Sequence, residues 1–293
     1  MKTIGIIACF ASFSLMSIGQ CCEFDYFGLP GPGDSIKLFA PDIVSLKNVK
    51  EKSLAISPNG DEVFFSGGKS WPESKIMHIK KNNNQWTEPK VAEFCIDCFA
   101  TEPAFSPDGK YLYFSSSKGE QDIKQYCIWR IAKVGNEWSH PEKVIDIKDP
   151  GIWEFHPAIT KDGTVYFCYW DSKKQAGCIY KSKYSGEVYS EPERINLPFG
   201  IQSSDTDPFI DPDEKYLIIS STGQNGKGGY DVYIFHKGEN GSWLSPVNFG
   251  NRFNTAGDED SFDISCDGRF IFIYKQDDVY WTETKEVLGN MQE

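Results

Sequence analysis

The sequence predicts an all-β chain built as a ring of five similar sheets, and three observations carry that prediction. The stretch "ATEPAFSPDGKYLYFSS", residues 100–116, returns four more times in altered form. Its turn residues Asn59, Asp108, Asp162, Asp213 and Asp267 fall at intervals of 49, 54, 51 and 54, a period that belongs to propellers and solenoids. The composition agrees: 15% aromatic residues, 26 glycines and 16 prolines in 293 residues suit short strands joined by tight turns.

The five copies are "LAISPNGDEVFFSG" from Leu54, "PAFSPDGKYLYFSS" from Pro103, "PAITKDGTVYFCYW" from Pro157, "PFIDPDEKYLIISS" from Pro208 and "FDISCDGRFIFIYK" from Phe262. Each opens on an inner strand and breaks at a turn. There Pro presets φ, Asp bonds back to the local backbone and Gly takes the left-handed position. The next run, such as Tyr111–Ser115, is rich in β-formers and apolar enough to be buried. A third strand comes next at 75–79, 127–131, 178–182, 231–235 and 278–282. An aromatic-x-x-Pro strand is fourth: Trp86 to Pro89, Trp138 to Pro141, Tyr189 to Pro192, Trp243 to Pro246. Pro within a strand belongs at a sheet edge, so this strand is placed outermost. Four strands from axis to edge make a propeller blade.

The fifth copy stops after three strands. The segment "KLFAPDIVSL", residues 37–46, resembles the missing fourth, with Pro41 aligned to Pro89. The expected fold is therefore a five-bladed β-propeller of four-stranded blades, closed by an N-terminal strand that completes the last blade. The expected organisation is an export signal at 1–19, an extension at 20–36, the propeller at 37–284 and a tail at 285–293. Lys2, the apolar run at 4–18 and the small residues Ser17 and Gly19 have the pattern of a cleaved signal. The chain is thus expected in the periplasm or secreted; lipidation at Cys21 or Cys22, giving an outer-membrane lipoprotein, is the alternative. No other segment has transmembrane length. The Gly-Gln junction has a bacterial look.

The "SPDG-(K/R)-Y-(L/I)-x-F-S" motif and the subsequent "D-(V/I)-Y" resemble the WD40-like repeats of the PD40 type, also found in the propeller of the TolB family. The resemblance covers roughly residues 37–284 and implies architecture rather than activity. Unlike TolB, the chain has five units rather than six and no preceding α/β domain.

Composition limits the partners. A formal charge of −12 disfavours nucleic acid and anionic membranes, and favours a cationic partner, a metal ion or a neutral ligand. Candidate chemistry lies where the chain enters each inner strand. Just before each aligned Pro or its equivalent stand Ser53, Glu102, His156, Asp207 and Ser261. Two residues earlier stand Glu51, Ala100, Glu154, Asp205 and Glu259, and Asp258 and Asp260 add charge to the fifth unit. With a period of two, both sets are expected on one side of their strands, forming an acidic ring at the channel mouth on the face of the entry loops. Trp71, Trp153 and Trp170 are expected in loops of that face, where indole rings can stack on sugars.

Crowded carboxylates raise one another's pKa unless a cation compensates. A bound metal, calcium above all, a cationic or polyhydroxyl ligand, and an acid/base pair all remain open. The function expected is a binding module for a protein or glycan ligand at this mouth, with no catalysis assumed. The alternative is a carbohydrate-active enzyme, a glycoside hydrolase or lyase, using the same carboxylates. Cys95 and Cys98 form a lone C-x-x-C, read as a local disulfide or two thiols, and Cys168 and Cys178 flank a hairpin across which they could face.

Overall fold

The computed structural model describes residues 24–117, 126–149, 151–199, 203–223 and 225–285. The expected export signal and the candidate lipidation sites Cys21 and Cys22 lie outside the described residues, as does the tail beyond residue 285. Among the described residues no helix is long and apolar enough to cross a membrane.

Five antiparallel sheets succeed one another around an axis, each running from an inner strand to an edge. The inner strands are Lys50–Ile56, Ala100–Phe105, Ile152–Ile159, Asp205–Ile210 and Asp260–Ile264. The turn after each reverses the chain as its chemistry requires. Ser106 Oγ and the amide of Lys110 donate to Asp108, Thr160 and Thr164 bond Asp162 in the same way, and Ser265 and Arg269 bond Asp267. In the fourth blade Asp211 takes over this role, accepting from the amides of Asp213 and Lys215. Asp213 is left outside, paired with Lys161 of the preceding blade at 2.8 Å.

The second strands are the most apolar and the most buried. Val63, Phe64, Phe65, Leu112, Phe114, Val165, Phe167, Leu217, Ile218 and Ile271 are all wholly buried. They fill the seams between blades, so the core is a circle of apolar layers. Outer strands are short. In the first two blades they are interrupted at Pro, as Gln85–Trp86 then Lys90–Val91, and Glu137–Trp138 then Glu142–Ile145. Brief, broken edges offer little template for another chain.

The ring closes at the expected place with a shifted register. Lys37 pairs with Trp281 and Leu38 with Tyr280, completing the sheet of the fifth blade. Pro41 therefore lies beyond the paired residues, not one residue ahead of them as in the other blades. The chain turns at once after Leu38, with Ala40 and Asp42 in the left-handed region, so no longer strand can form. Phe39 is wholly buried against Phe272 and Trp281.

Part of the extension packs into this closing seam. Phe24 and Tyr26 are buried, and Tyr26 lies edge-on to Phe270 and stacks on Trp281. Asp25 accepts from Lys81 Nζ at 2.7 Å and from Trp86 Nε1 at 3.0 Å, while Lys81 lies over the Trp86 ring. At the next seam Glu62 holds Lys133 and Trp138 in the same arrangement. His78 joins it at 3.1 Å. Burial works against the Glu62 charge, but the bonds from His78 and Lys133 hold its pKa down to about 2. Asp25 thus supplies, from outside the repeats, the acid that blade one supplies to blade two.

Cys95 and Cys98 stand as two thiols and not as a bridge. Cys95 Sγ donates to the Ile76 carbonyl, whereas Cys98 Sγ accepts from Ser116 Oγ. Cys168 and Cys178 are thiols as well; they oppose Ile179 and Tyr169, one step out of register with each other. Cys266 is disulfide-bonded.

Candidate functional site: an axial carboxylate–imidazole cluster

Every inner strand carries a β-bulge where the candidate residues lie. The pairing shifts between Glu51 and Leu54, Thr101 and Ala104, Phe155 and Ala158, Thr206 and Phe209, and Asp260 and Phe262. At four bulges a non-glycine residue takes left-handed φ: Glu102 at 57°, His156 at 51°, Asp207 at 51° and Ser261 at 46°. A bulge adds a residue and re-aims its side chain. The strict period of two therefore fails here, and the two sets of candidates are not on one side of their strands.

The acids two residues earlier cap the entry loops. Glu51 Oε1 accepts from the amide of Leu46 at 3.0 Å, and Glu154 Oε1 from the amide of Ile147 at 2.7 Å. Glu259 receives the amide and hydroxyl of Thr255, and Asp205 the hydroxyls of Ser221 and Ser203. The second oxygens of Glu51 and Glu154 are buried and unpartnered. Burial pushes both carboxyls up to about 8, so at neutral pH they are mostly protonated. Asp205 is raised by burial too.

The bulge residues converge on the axis. His156 Nε2 lies 2.9 Å from Glu102 Oε1, 2.8 Å from Asp207 Oδ1 and 3.1 Å from Ser261 Oγ. Glu102 Oε2 accepts from the His156 amide at 2.9 Å and from Ser115 Oγ at 2.7 Å. The Glu102 amide donates to Ser66 Oγ, which also bonds Ser53 Oγ and Thr101 Oγ1. The network ties all five blades together. Burial alone would strip the imidazole of its proton. Asp207 and Glu102 overcome that and raise His156 to about 10. Asp207, equally penalised by burial, is held down at about 2 by the His156 charge. The cation that crowded carboxylates demand is the chain's own imidazolium. Among the described residues no group of three or more His, Cys, Asp or Glu is arranged to hold a metal ion.

Above this cluster, toward the entry loops, Asp260 is raised to about 6 by burial and by Asp207, with Lys52 Nζ 3.9 Å away as partial compensation. Asp258 is exposed and caps the amide of Tyr230 at 3.0 Å. Lys52 also lies over the half-buried ring of Trp71, which packs on Phe99, Tyr126 and Phe155. Trp153 packs on Tyr126 and Phe155 and pairs across its sheet with Trp170. Its buried Nε1 has no acceptor. Trp71 and Trp153 thus share one aromatic cluster beside the mouth, with Trp170 adjoining it. Of the three expected in loops only Trp71 lies in a loop between strands, because Trp153 and Trp170 belong to the strands Ile152–Ile159 and Val165–Asp171.

Below the cluster the axis is open. A channel of about 250 Å³ runs from Glu102 and His156 at its floor to Pro58, Pro107 and Pro212 at its rim. It opens on the face of the Pro-Asp-Gly turns, opposite the entry loops. Leu54, Ala104, Ala158 and Ile264 give its wall an apolar stretch, and Ser106, Lys161, Asp211, Asp213 and Ser265 also line it. Asp263 stands on the same wall, and its carboxylate accepts from Tyr274 Oη at 3.0 Å. Burial pushes Asp263 up to about 7. Asp263 is not among the candidates that the sequence suggests, although a signal is present. It occupies the repeat position held by Ala55, Ala104, Ala158 and Phe209 in the other blades. Ser66 and Ser115 escape notice in the sequence because they lie on second strands, where the repeat gives them no distinction.

No protein-family model matches the chain, and no curated protein matches it. Solved structures do. A protein of unknown function from Dyadobacter fermentans shares 12% identity over 83% of this chain and 79% of its own, with a TM-score of 0.52. An α-L-arabinanase of Penicillium chrysogenum gives 11% over 86% and 77%, TM-score 0.48. A post-proline cleaving enzyme from Rickettsia typhi gives 12% over 78% of this chain, TM-score 0.42, and the chain spans only 33% of that enzyme. At such identities the likeness is one of fold.

Proposed function

We propose that the chain is an exported propeller of WD40-like repeats that binds a ligand in its axial channel without transforming it. One observation carries this reading: the open channel ends on a hydrogen-bonded polar cluster of two carboxylates and one imidazole. A pocket with apolar walls and a few convergent polar groups is the usual form of a small-ligand site. Export is supported by the apolar N-terminal run and by a disulfide at Cys266.

Catalysis by the same residues is disfavoured on physical grounds. Glu102 and Asp207 both touch one nitrogen, so they stand close enough for a retaining glycosidase pair. But His156 fills the space where a sugar carbon would have to sit. An imidazolium held protonated to about pH 10 is no general base at neutral pH.

On this reading the ligand enters from the turn face, where the channel opens, and not at the entry-loop mouth. Ala104→Trp would fill the channel, and Trp71→Ala would remove the platform at the opposite mouth. In calorimetric screening against soluble glycans, amines and short peptides, the first substitution is expected to abolish binding and the second to leave it intact. The reverse pattern would return the site to the entry loops.

A further inference from the structure

The fifth blade departs from its siblings at one position inside the channel, and that departure defines a ligand class. Three of the other inner strands place alanine there and the fourth places phenylalanine; the architecture has no need of a carboxyl group. Asp263 nevertheless stands on the wall, only partly covered, with Tyr274 Oη orienting one of its oxygens. We propose that Asp263 anchors the ammonium group of a ligand whose apolar stem lies along the channel. The inference rests on the channel-binding reading and names what the channel selects.

Shape and charge agree. An apolar cavity of about 150 Å³ accommodates a benzene ring, so about 250 Å³ takes a stem of six or so carbons with its head group. The stem meets Leu54, Ala104, Ala158 and Ile264, which offer no hydrogen bonds from their side chains. The floor carries two carboxylates against one imidazolium, a net negative charge. At the rim Lys161 is neutralised by Asp213. A cation is drawn in and an anion is opposed.

The charged and titratable neighbours of Asp263 are Tyr274 on the next strand, His156 across the axis, and Glu102 beyond it at the floor. Tyr274 is pushed well above its ordinary value by burial and by Asp263 and stays a donor. Because burial favours protonated Asp263 in the empty channel, seating an ammonium group releases a proton near neutral pH. Amine affinity therefore rises as pH climbs through about 7 and levels off above it.

The experiment is titration calorimetry of the purified chain at pH 8 with n-hexylamine, n-hexanol, n-hexanoate and an end-blocked Gly-Lys-Gly peptide. Hexylamine is expected to bind at least tenfold more tightly than hexanol or hexanoate. Asp263→Asn is expected to erase that preference while leaving hexanol binding within error and without lowering the melting temperature. At pH 6.5, buffers of differing ionisation heat should report proton release with wild type and none with Asp263→Asn. Tighter binding of the peptide assigns the ammonium to a lysine of a protein partner, and tighter binding of hexylamine to a small amine. Equal binding of hexylamine by wild type and Asp263→Asn would overturn the inference. So would channel binding, blocked by Ala104→Trp, that showed no preference for amines; the channel reading would survive that result. No Ala104→Trp-sensitive binding of any of the four probes would remove both.

Discussion

His156 is the residue on which the axis depends. Among the described residues it is the one cation paired with Glu102 and Asp207, and both carboxylates are largely withdrawn from water. Removing one member of a buried charge cluster leaves the others uncompensated, which costs about 3–5 kcal/mol. His156→Gln should lower the free energy of unfolding by that order in urea titrations. Adding Glu102→Gln and Asp207→Asn to it should restore more than half. A loss that these neutralising changes fail to restore would mean that the imidazole acts by packing and not by charge. The pH response belongs to this scale too. Glu51 and Glu154, raised to about 8, and Asp263, raised to about 7, keep protons in the folded state that the unfolded chain has released. Their contribution is complete below the unfolded carboxyl pKa and drains as pH climbs toward 8. His156 adds stability that is complete below about 6.5 and lost through about 10. Asp207 acts in the opposite sense, losing its contribution as pH falls from 3.8 toward 2. The melting temperature should therefore peak in mildly acidic buffer, near pH 5, and decline steadily to pH 10. A flat profile between pH 5 and 9 would contradict these burial assignments.

Among the elements, the inner strand decides where chemistry can sit. Its bulge is a property of the repeat, since all five blades have the register shift with five different local sequences. What varies is the side chain delivered to the axis. The residues 102, 156 and 207 were legible as special from the repeat alignment alone. Their separation from Glu51, Glu154, Asp205 and Glu259 was not, because a bulge leaves no mark in a pattern of apolar alternation. The closing strand shows the same limit. Its existence could be inferred from the missing fourth strand of the last repeat. Its register could not, because only two residues pair and the nearby Pro41 offered a false landmark. Flanking aromatic residues stabilise this short strand: Phe24 and Tyr26 before it and Phe39 after it pack on Trp281 and its neighbours. Trp281→Ala should cost about 3–5 kcal/mol, as for a large buried aromatic. Deleting residues 24–38 should open the ring, read as a fall of more than about 10 °C in melting temperature and faster hydrogen exchange in Asp278–Glu283. Undiminished protection of that strand would show that the ring closes by other means.

For the molecule as a whole, the fold was legible because a fifty-residue period, turn chemistry and edge prolines all point one way. Which of its two mouths is open was not. That depends on whether the side chains at the five bulges meet across the axis. They do meet here, because glutamate and aspartate from two blades reach one histidine from the blade between them. The same five-membered ring with small residues throughout would leave a through-channel. The overall charge of −12 then adds to the local negative potential of the channel, and both favour a cationic guest. Salt should weaken amine binding but not the axial cluster, since screening acts on exposed charges and little on buried ones.

Nitrogen-15 chemical shifts of His156, tracked by NMR from pH 5 to pH 11, test the axial cluster most directly. A doubly protonated ring is expected at neutral pH, titrating only near pH 10. A neutral ring at pH 7.5, titrating near 6.5, would show that Glu102 and Asp207 do not hold an imidazolium between them.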